Sequence, residues 1–253
     1  MSNKDTYESC DVVRCYSMAE NLQKPEQNIL TSFGDKIKNM KMLDIGVGGG
    51  RTTIYFAKLA KEYVGIDYSD HMIEACKKRF SGEGNISFKL ADVRELRDFK
   101  DNDFDLVLFS FNGLDYINHQ DRIKALKEIK RVLKKGGVFV FSSHNLNCIN
   151  KVYSIKFYKN PITLIRRIMT ICFLLLLNGC PKRLQEMEWA IINDGAHRFR
   201  LKTYYITPAF QIQQLKNTGF EDIQLFSLDS GEEIKDSNLR KVNDTWIYYK
   251  CVA

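Results

Sequence analysis

Residues 43–51 read Leu43-Asp44-Ile45-Gly46-Val47-Gly48-Gly49-Gly50-Arg51: an apolar run with one carboxylate inside it, then a glycine cluster, then the start of an amphipathic stretch. The apolar run has the length of a buried strand. Glycines accept φ > 0 and let a ligand approach the backbone, and the helix that follows offers unpaired N–H groups at its first turn. A nucleotide-like cofactor is expected at such a turn.

Working outward, short apolar runs alternate with amphipathic stretches: strands at 42–46, 63–67, 86–92, 104–110 and 136–143, with helices at 51–61, 69–80 and 120–133. Strands that alternate with helices imply right-handed crossovers and a parallel sheet covered on both faces. Upstream, 7–39 reads as mostly helical, with Pro25 and Glu26 in a first helical turn, where proline is tolerated and an acid suits the dipole. Downstream, 145–205 breaks the rhythm. Thr207-Pro208 restarts a helix that Gly219 ends, and 221–228 and 245–253 read as two further strands.

Composition bounds the class. Hydrophobic residues make up 44% and charged residues 27% of 253, the balance of a soluble globular protein. The cysteines form no CxxC pair and no histidine stands at ligand spacing from them, so neither a zinc site nor a redox motif is expected. Nor is an acidic cluster placed for a divalent cation, and metal independence is the expectation. The first ten residues are polar, which argues against a secretory leader and for a cytoplasmic protein. The net charge of +7 suits an anionic substrate, a nucleic acid or a membrane surface alike. No RNA-binding signature with interleaved aromatics accompanies it, and no nucleic-acid partner is expected.

A glycine-rich turn alone also fits a dinucleotide site, but counting from Gly46 the third glycine of that fingerprint falls on Arg51. Asp44 stands beside the turn, where a carboxylate favours a cationic ligand and opposes a diphosphate. The second strand ends at Asp67, about 20 residues on, where an acid can accept both hydroxyls of a ribose. Asp92 follows the third strand. Three acids at three successive strand ends form a constellation.

On these residues the chain resembles the class I S-adenosylmethionine-dependent methyltransferases. Asp44, Gly46, Gly48 and Gly50 match the family's first motif, Asp67 its ribose-binding acid, Asp92-Val93 its adenine-contacting pair, and Phe104-Asp105-Leu106-Val107 its fourth-strand motif. Val13 and Tyr16 look like its N-terminal helix, whose tyrosine covers the cofactor. Arg51, Tyr68, Met72, Ser110 and Asn112 complete the candidate cofactor contacts. The resemblance implies a Rossmann-like, doubly wound, seven-stranded sheet, mostly parallel with the last strand antiparallel. Residues 1–40 would form a helical cap, 41–145 the cofactor core, 146–205 an inserted substrate lid, and 206–253 a C-terminal helix and strand pair. S-adenosylmethionine would be the methyl donor and S-adenosylhomocysteine the product.

Residues 109–122 and 140–145 are similar to bacterial methyltransferases of surface-polysaccharide (capsule) biosynthesis, which implies a sugar or nucleotide-linked glycan precursor as acceptor. A sugar hydroxyl needs a general base. His144, directly after the fifth strand, is the candidate, with Asp115 or His119 as partner or substitute. Asn145, His197, Arg198, Arg200, Tyr204 and Tyr205 are candidate acceptor contacts, since guanidinium groups fork onto phosphate and rings stack on sugars or bases. An N-methyltransferase on an amino sugar, a methyltransferase of a phosphoryl or phosphoramidate group, an RNA or lipid-quinone methyltransferase, an NAD-dependent oxidoreductase on a similar sheet, and a non-catalytic scaffold remain alternatives. Within the insert, the apolar core 168–177 is too short for a bilayer span of about 20 residues. Two readings stand for 162–183: a buried cap helix or homodimer contact, and a helix lying on a membrane surface.

Overall fold

A computed structural model of the chain describes residues 20–155, 160–235 and 239–253, with the backbone alone of His197 and Arg198. Tyr16 and Val13 lie outside the described residues.

Helix α1, Lys24–Phe33, opens on Pro25 and a Gln23–Glu26 capping box and stops at Gly34. It buries Ile29 and Phe33 against the sheet. Strands β1 (Lys41–Ile45), β2 (Glu62–Asp67), β3 (Ile86–Leu90), β4 (Phe104–Phe109) and β5 (Leu133–Asn145) pair in parallel in the order β3-β2-β1-β4-β5. Between them lie α2 (Thr53–Phe56), α3 (Asp70–Arg79) and α4 (His119–Val132). Beyond β5, strand β9 (Trp246–Val252) runs antiparallel along Val138 to His144, and β8 (Glu221–Ser227) pairs antiparallel with β9. The Rossmann-like sheet and its antiparallel last strand are as the sequence implies.

Burial on both faces explains the near-continuous apolar strands. Leu43, Ile45, Val107 and Phe109 point into one core with Leu126 and Ile129 of α4. Met42, Leu106 and Leu108, one residue out of phase, point into the other with Ile29, Phe33 and Phe56. Each fully buried side chain of this size contributes about 1.5–3 kcal/mol relative to its exposed state.

Three expectations change. The helix expected over 51–61 is only Thr53–Phe56, followed by turns; a run of β-branched and aromatic residues, Thr52 to Phe56, has low helix propensity. The insert 146–205 holds α5 (Ile149–Val152), α6 (Pro161–Asn178), α7 (Pro181–Gln185), α8 (Ala196–Phe199) and also two strands, β6 (Trp189–Ile192) and β7 (Thr203–Ile206). These join the sheet because β7 pairs with the last residues of β5, His144 with Tyr205 and Asn145 with Ile206, so the insert adds two strands to the seven expected, nine in all. Finally, α6 is not a buried cap helix: among its residues Leu174 alone is buried. Helix α9, Pro208–Asn217, capped by Thr207, leads into β8.

Candidate functional site

The site forms where β1, β2 and β4 end. Gly46 at φ +64° reverses the chain after β1, and a Cβ there would stand 2.9 Å from the Phe109 ring. Only glycine meets both demands. The loop lines a cavity of about 810 Å³, within the range of small-molecule and cofactor sites. Asp44, Gly46, Gly48, Arg51, Asp67, Tyr68, Met72, Asp92, Val93 and Ser110 of the sequence candidates line it. Gly50 does not. Its φ of +82° and the Phe80 ring, 2.4 Å from where a Cβ would sit, make it a packing glycine.

The three acids differ in their partners. Asp44 is buried, and its Oδ2 accepts from Thr52 Oγ1 and Tyr63 Oη, each at 2.5 Å. Burial pushes its carboxyl up to about 6 against the lowering effect of those hydroxyls. Asp67 accepts the Gly48 N–H on Oδ2 and the Ser69 N–H on Oδ1, both at 3.0 Å, and burial likewise raises its carboxyl. Asp92 is half-buried at the cavity edge and is held by Arg94, whose Nη2 lies 2.5 Å from Oδ2 and whose Nη1 reaches Asp121. Among the described residues neither Asp44 nor Asp67 makes an ion pair. Two buried carboxylates with only neutral donors suit a ligand with an ammonium group and ribose hydroxyls, and they oppose a diphosphate.

Arg51 turns away from a purely ligand-facing role. Its guanidinium forks onto Glu26 of α1, Nη1 to Oε2 at 2.6 Å and Nη2 to Oε1 at 2.7 Å, and covers the Phe111 ring at 5.0 Å. Ser110 Oγ and Tyr248 Oη also donate to Glu26 Oε1. One buried carboxylate therefore ties α1, the glycine loop, the end of β4 and β9 together. Sequence reasoning gave Glu26 only a helix-dipole role and missed Tyr248, because the partners lie up to 222 positions apart.

After β4, Phe111 and Asn112 both take left-handed backbone conformations, φ 55° and 60°, which is costly for non-glycine residues. Phe111 thereby lines the cavity, whereas Asn112 is buried and does not, its Nδ2 3.4 Å from His144 Nε2 and its Oδ1 without a hydrogen-bond partner among the described residues.

His144 and Asp115 are brought together. Asp115 Oδ2 accepts the His144 backbone N–H and meets ring Nδ1, both at 2.7 Å; a neutral ring that donates from Nδ1 to this carboxylate has Nε2 as its acceptor. Asp115 Oδ1 accepts from Ser143 Oγ and Arg122 Nη1, also at 2.7 Å. Arg122, fully buried, further donates to the Leu114 carbonyl, Gln211 and Gln214 and lies over the Tyr204 ring. Sequence reasoning missed this arginine. His144 is 7% exposed and, like Asn112 beside its Nε2, does not line the cavity.

The other candidates stand apart from this pair. His119 Nδ1 meets Tyr204 Oη at 2.7 Å and its ring stacks on Trp189 at 4.3 Å, so it does not partner His144. Asn145 is spent on the Val242 and Asp244 carbonyls and the Asn147 N–H. Tyr204 and Tyr205 are buried, Tyr205 donating to Asp194, rather than forming an open stacking surface. Arg200 is exposed, and the side chains of His197 and Arg198 lie outside the description.

Residues 42–137 match the family model described as a methyltransferase domain. The chain is 38% identical over 126 residues to a demethylmenaquinone methyltransferase of Staphylococcus aureus strain MRSA252, which covers 47% of this chain and 51% of that protein. It thus spans about half the length of the curated relatives it matches. The fold is similar to that of a Mesorhizobium loti S-adenosylmethionine-dependent methyltransferase, with TM-score 0.61, 15% identity and coverage of 90% of this chain and 98% of that one. It is also similar to Haemonchus contortus phosphoethanolamine N-methyltransferase 1 in complex with phosphoethanolamine and S-adenosylhomocysteine, with TM-score 0.60, 17% identity and coverage of 98% and 48%.

Proposed function

We propose that this chain transfers the methyl group of S-adenosylmethionine to a hydroxyl of a small-molecule acceptor. The observation that carries the reading is the cavity behind the glycine loop, with Asp44 and Asp67 buried at its wall and in no ion pair among the described residues. Asp67 would accept the ribose hydroxyls, Asp44 would face the amino group of the methionine moiety, and Asp92-Val93 would border the adenine. When bound, the sulfonium supplies an electrophilic methyl for in-line displacement, so the protein's task is chiefly to position donor and acceptor.

His144 would take the proton of the acceptor hydroxyl on Nε2. Asp115 holds the ring with Nδ1 protonated, and Arg122 and Ser143 hold Asp115. The Asn112 amide, which now meets Nε2, must swing aside when the acceptor enters. The sequence resemblance favours a hydroxyl of a sugar or nucleotide-linked glycan precursor. A quinone acceptor is the second reading, supported by the activity of the Staphylococcus aureus relatives. Incubation with S-adenosylmethionine labelled in the methyl group, followed by separation of glycan precursors and demethylmenaquinone, tests both. Label in a glycan precursor supports the first, label in the quinone replaces it with the second, and label in neither despite cofactor binding defeats both acceptor classes.

A further inference from the structure

Helix α6 is built inside out. Arg167, Thr170 and Asn178 share the face that turns toward the protein with the buried Leu174. Arg167 donates to the Val152 and Ser154 carbonyls, and Asn178 pairs with both the carbonyl and the N–H of Asn193. The opposite face carries Ile162, Ile165, Met169, Phe173 and Leu176 at the i, i+3, i+7, i+11, i+14 spacing of one stripe. Each is more than half exposed, Leu176 reaching 82%. An ordinary surface helix has the reverse arrangement, and a contiguous apolar face of this size marks a docking surface.

The charge around the helix says what docks there. From Lys151 to Gln185 the sequence holds seven lysines and arginines and no acid, so this segment carries the whole net charge of +7 while the rest of the chain balances. Arg166 near the start of α6, and Lys182 and Arg183 just beyond its end, are exposed. An apolar stripe edged by cations fits the surface of an anionic bilayer, acyl chains under the stripe and headgroups against the cations. The helix's 18 residues and mean hydropathy of 1.6 would by length and composition alone allow a span. Its inward face, however, is hydrogen-bonded to the domain, which fixes it parallel to a surface that the domain rests on.

We propose that α6 docks this protein on anionic membranes by its outward apolar stripe. The proposal is independent of the methyltransferase reading, since docking needs neither cofactor nor turnover. The test is sedimentation of the full chain with vesicles of equal parts phosphatidylglycerol and phosphatidylcholine, beside vesicles of phosphatidylcholine alone, for the wild type, Met169→Glu/Leu176→Glu, and Arg166→Glu/Lys182→Glu/Arg183→Glu. All substituted side chains are exposed, so the circular dichroism spectrum is expected to stay unchanged. Expected is binding of the wild type to the anionic vesicles, weakened at least tenfold by either set of substitutions and by omission of the anionic lipid. A wild type that stays in the supernatant overturns the proposal, as does equal binding by Met169→Glu/Leu176→Glu. A concentration-dependent dimer in sedimentation velocity, abolished by Met169→Glu/Leu176→Glu while no vesicle binding is seen, assigns the stripe to a second copy and also overturns it.

Discussion

Replacing Asp67 by alanine separates ligand binding from folding. In the ligand-free protein the Asp67 carboxylate accepts two backbone N–H groups at 3.0 Å, and burial raises its carboxyl. Removing it leaves those N–H groups short of an acceptor, at about 1–3 kcal/mol for a buried donor. The Gly48 N–H borders the cavity and can be hydrated, and loss of a desolvated carboxylate offsets part of the cost. Net destabilisation should therefore be about 1 kcal/mol. Binding has no such compensation. Two hydrogen bonds from ribose hydroxyls to a carboxylate disappear together, and at 1.5–3 kcal/mol for a charged pairing the loss is at least about 3 kcal/mol, about a hundredfold in Kd. Isothermal titration with S-adenosylhomocysteine reads the affinity, and urea unfolding reads the stability. An affinity within about threefold of the wild type, in a variant that folds, refutes the ribose assignment.

His144→Gln should lower kcat about a hundredfold or more while leaving S-adenosylhomocysteine affinity unchanged, as expected for loss of a general base; a kcat within a few-fold of the wild type removes His144 from the chemistry. Arg122→Met should destabilise the fold by about 3–5 kcal/mol in urea unfolding, since Asp115 is left buried beside it without its cation; Arg122→Met/Asp115→Leu should recover part of that loss. The pH dependence follows from Asp44. Its folded-state value of about 6 lies above the 3.8 of the unfolded chain, so its contribution to stability is full below pH 3.8 and is lost as pH rises through about 6. Above 6 the buried anion opposes the ligand-free fold by about 3 kcal/mol, and a bound ammonium group relieves it. S-adenosylhomocysteine affinity should therefore fall with decreasing pH below about 6, by up to tenfold per unit for one coupled proton; titrations from about pH 5 to 8 that give a flat profile refute the pairing with Asp44.

What could be read in the sequence was local. The strand, glycine turn and acids at 44, 67 and 92 lie within one βαβ rhythm, where alternation of apolar runs and the residue at each strand end carry the information. What could not be read depends on pairings at long range. Arg122 sits on a helix whose pattern gives no sign of burial, and its partners Gln211 and Gln214 come from α9, 89 and 92 positions away. Glu26 reads as a dipole-compensating acid until Arg51 and Tyr248 are brought to it. The β6–β7 pair is invisible locally, because its sheet partner is the far end of β5. Helix α6 shows the limit of composition: an apolar run announces a buried face, but which way the face points was decided by Arg167 and Asn178 turning inward.

The most direct test of the cofactor assignment is isothermal titration of the wild-type chain with S-adenosylhomocysteine and, in parallel, with NAD. Micromolar, one-to-one binding of S-adenosylhomocysteine with no heat from NAD is the predicted result; binding of NAD alone, or of neither, contradicts the account.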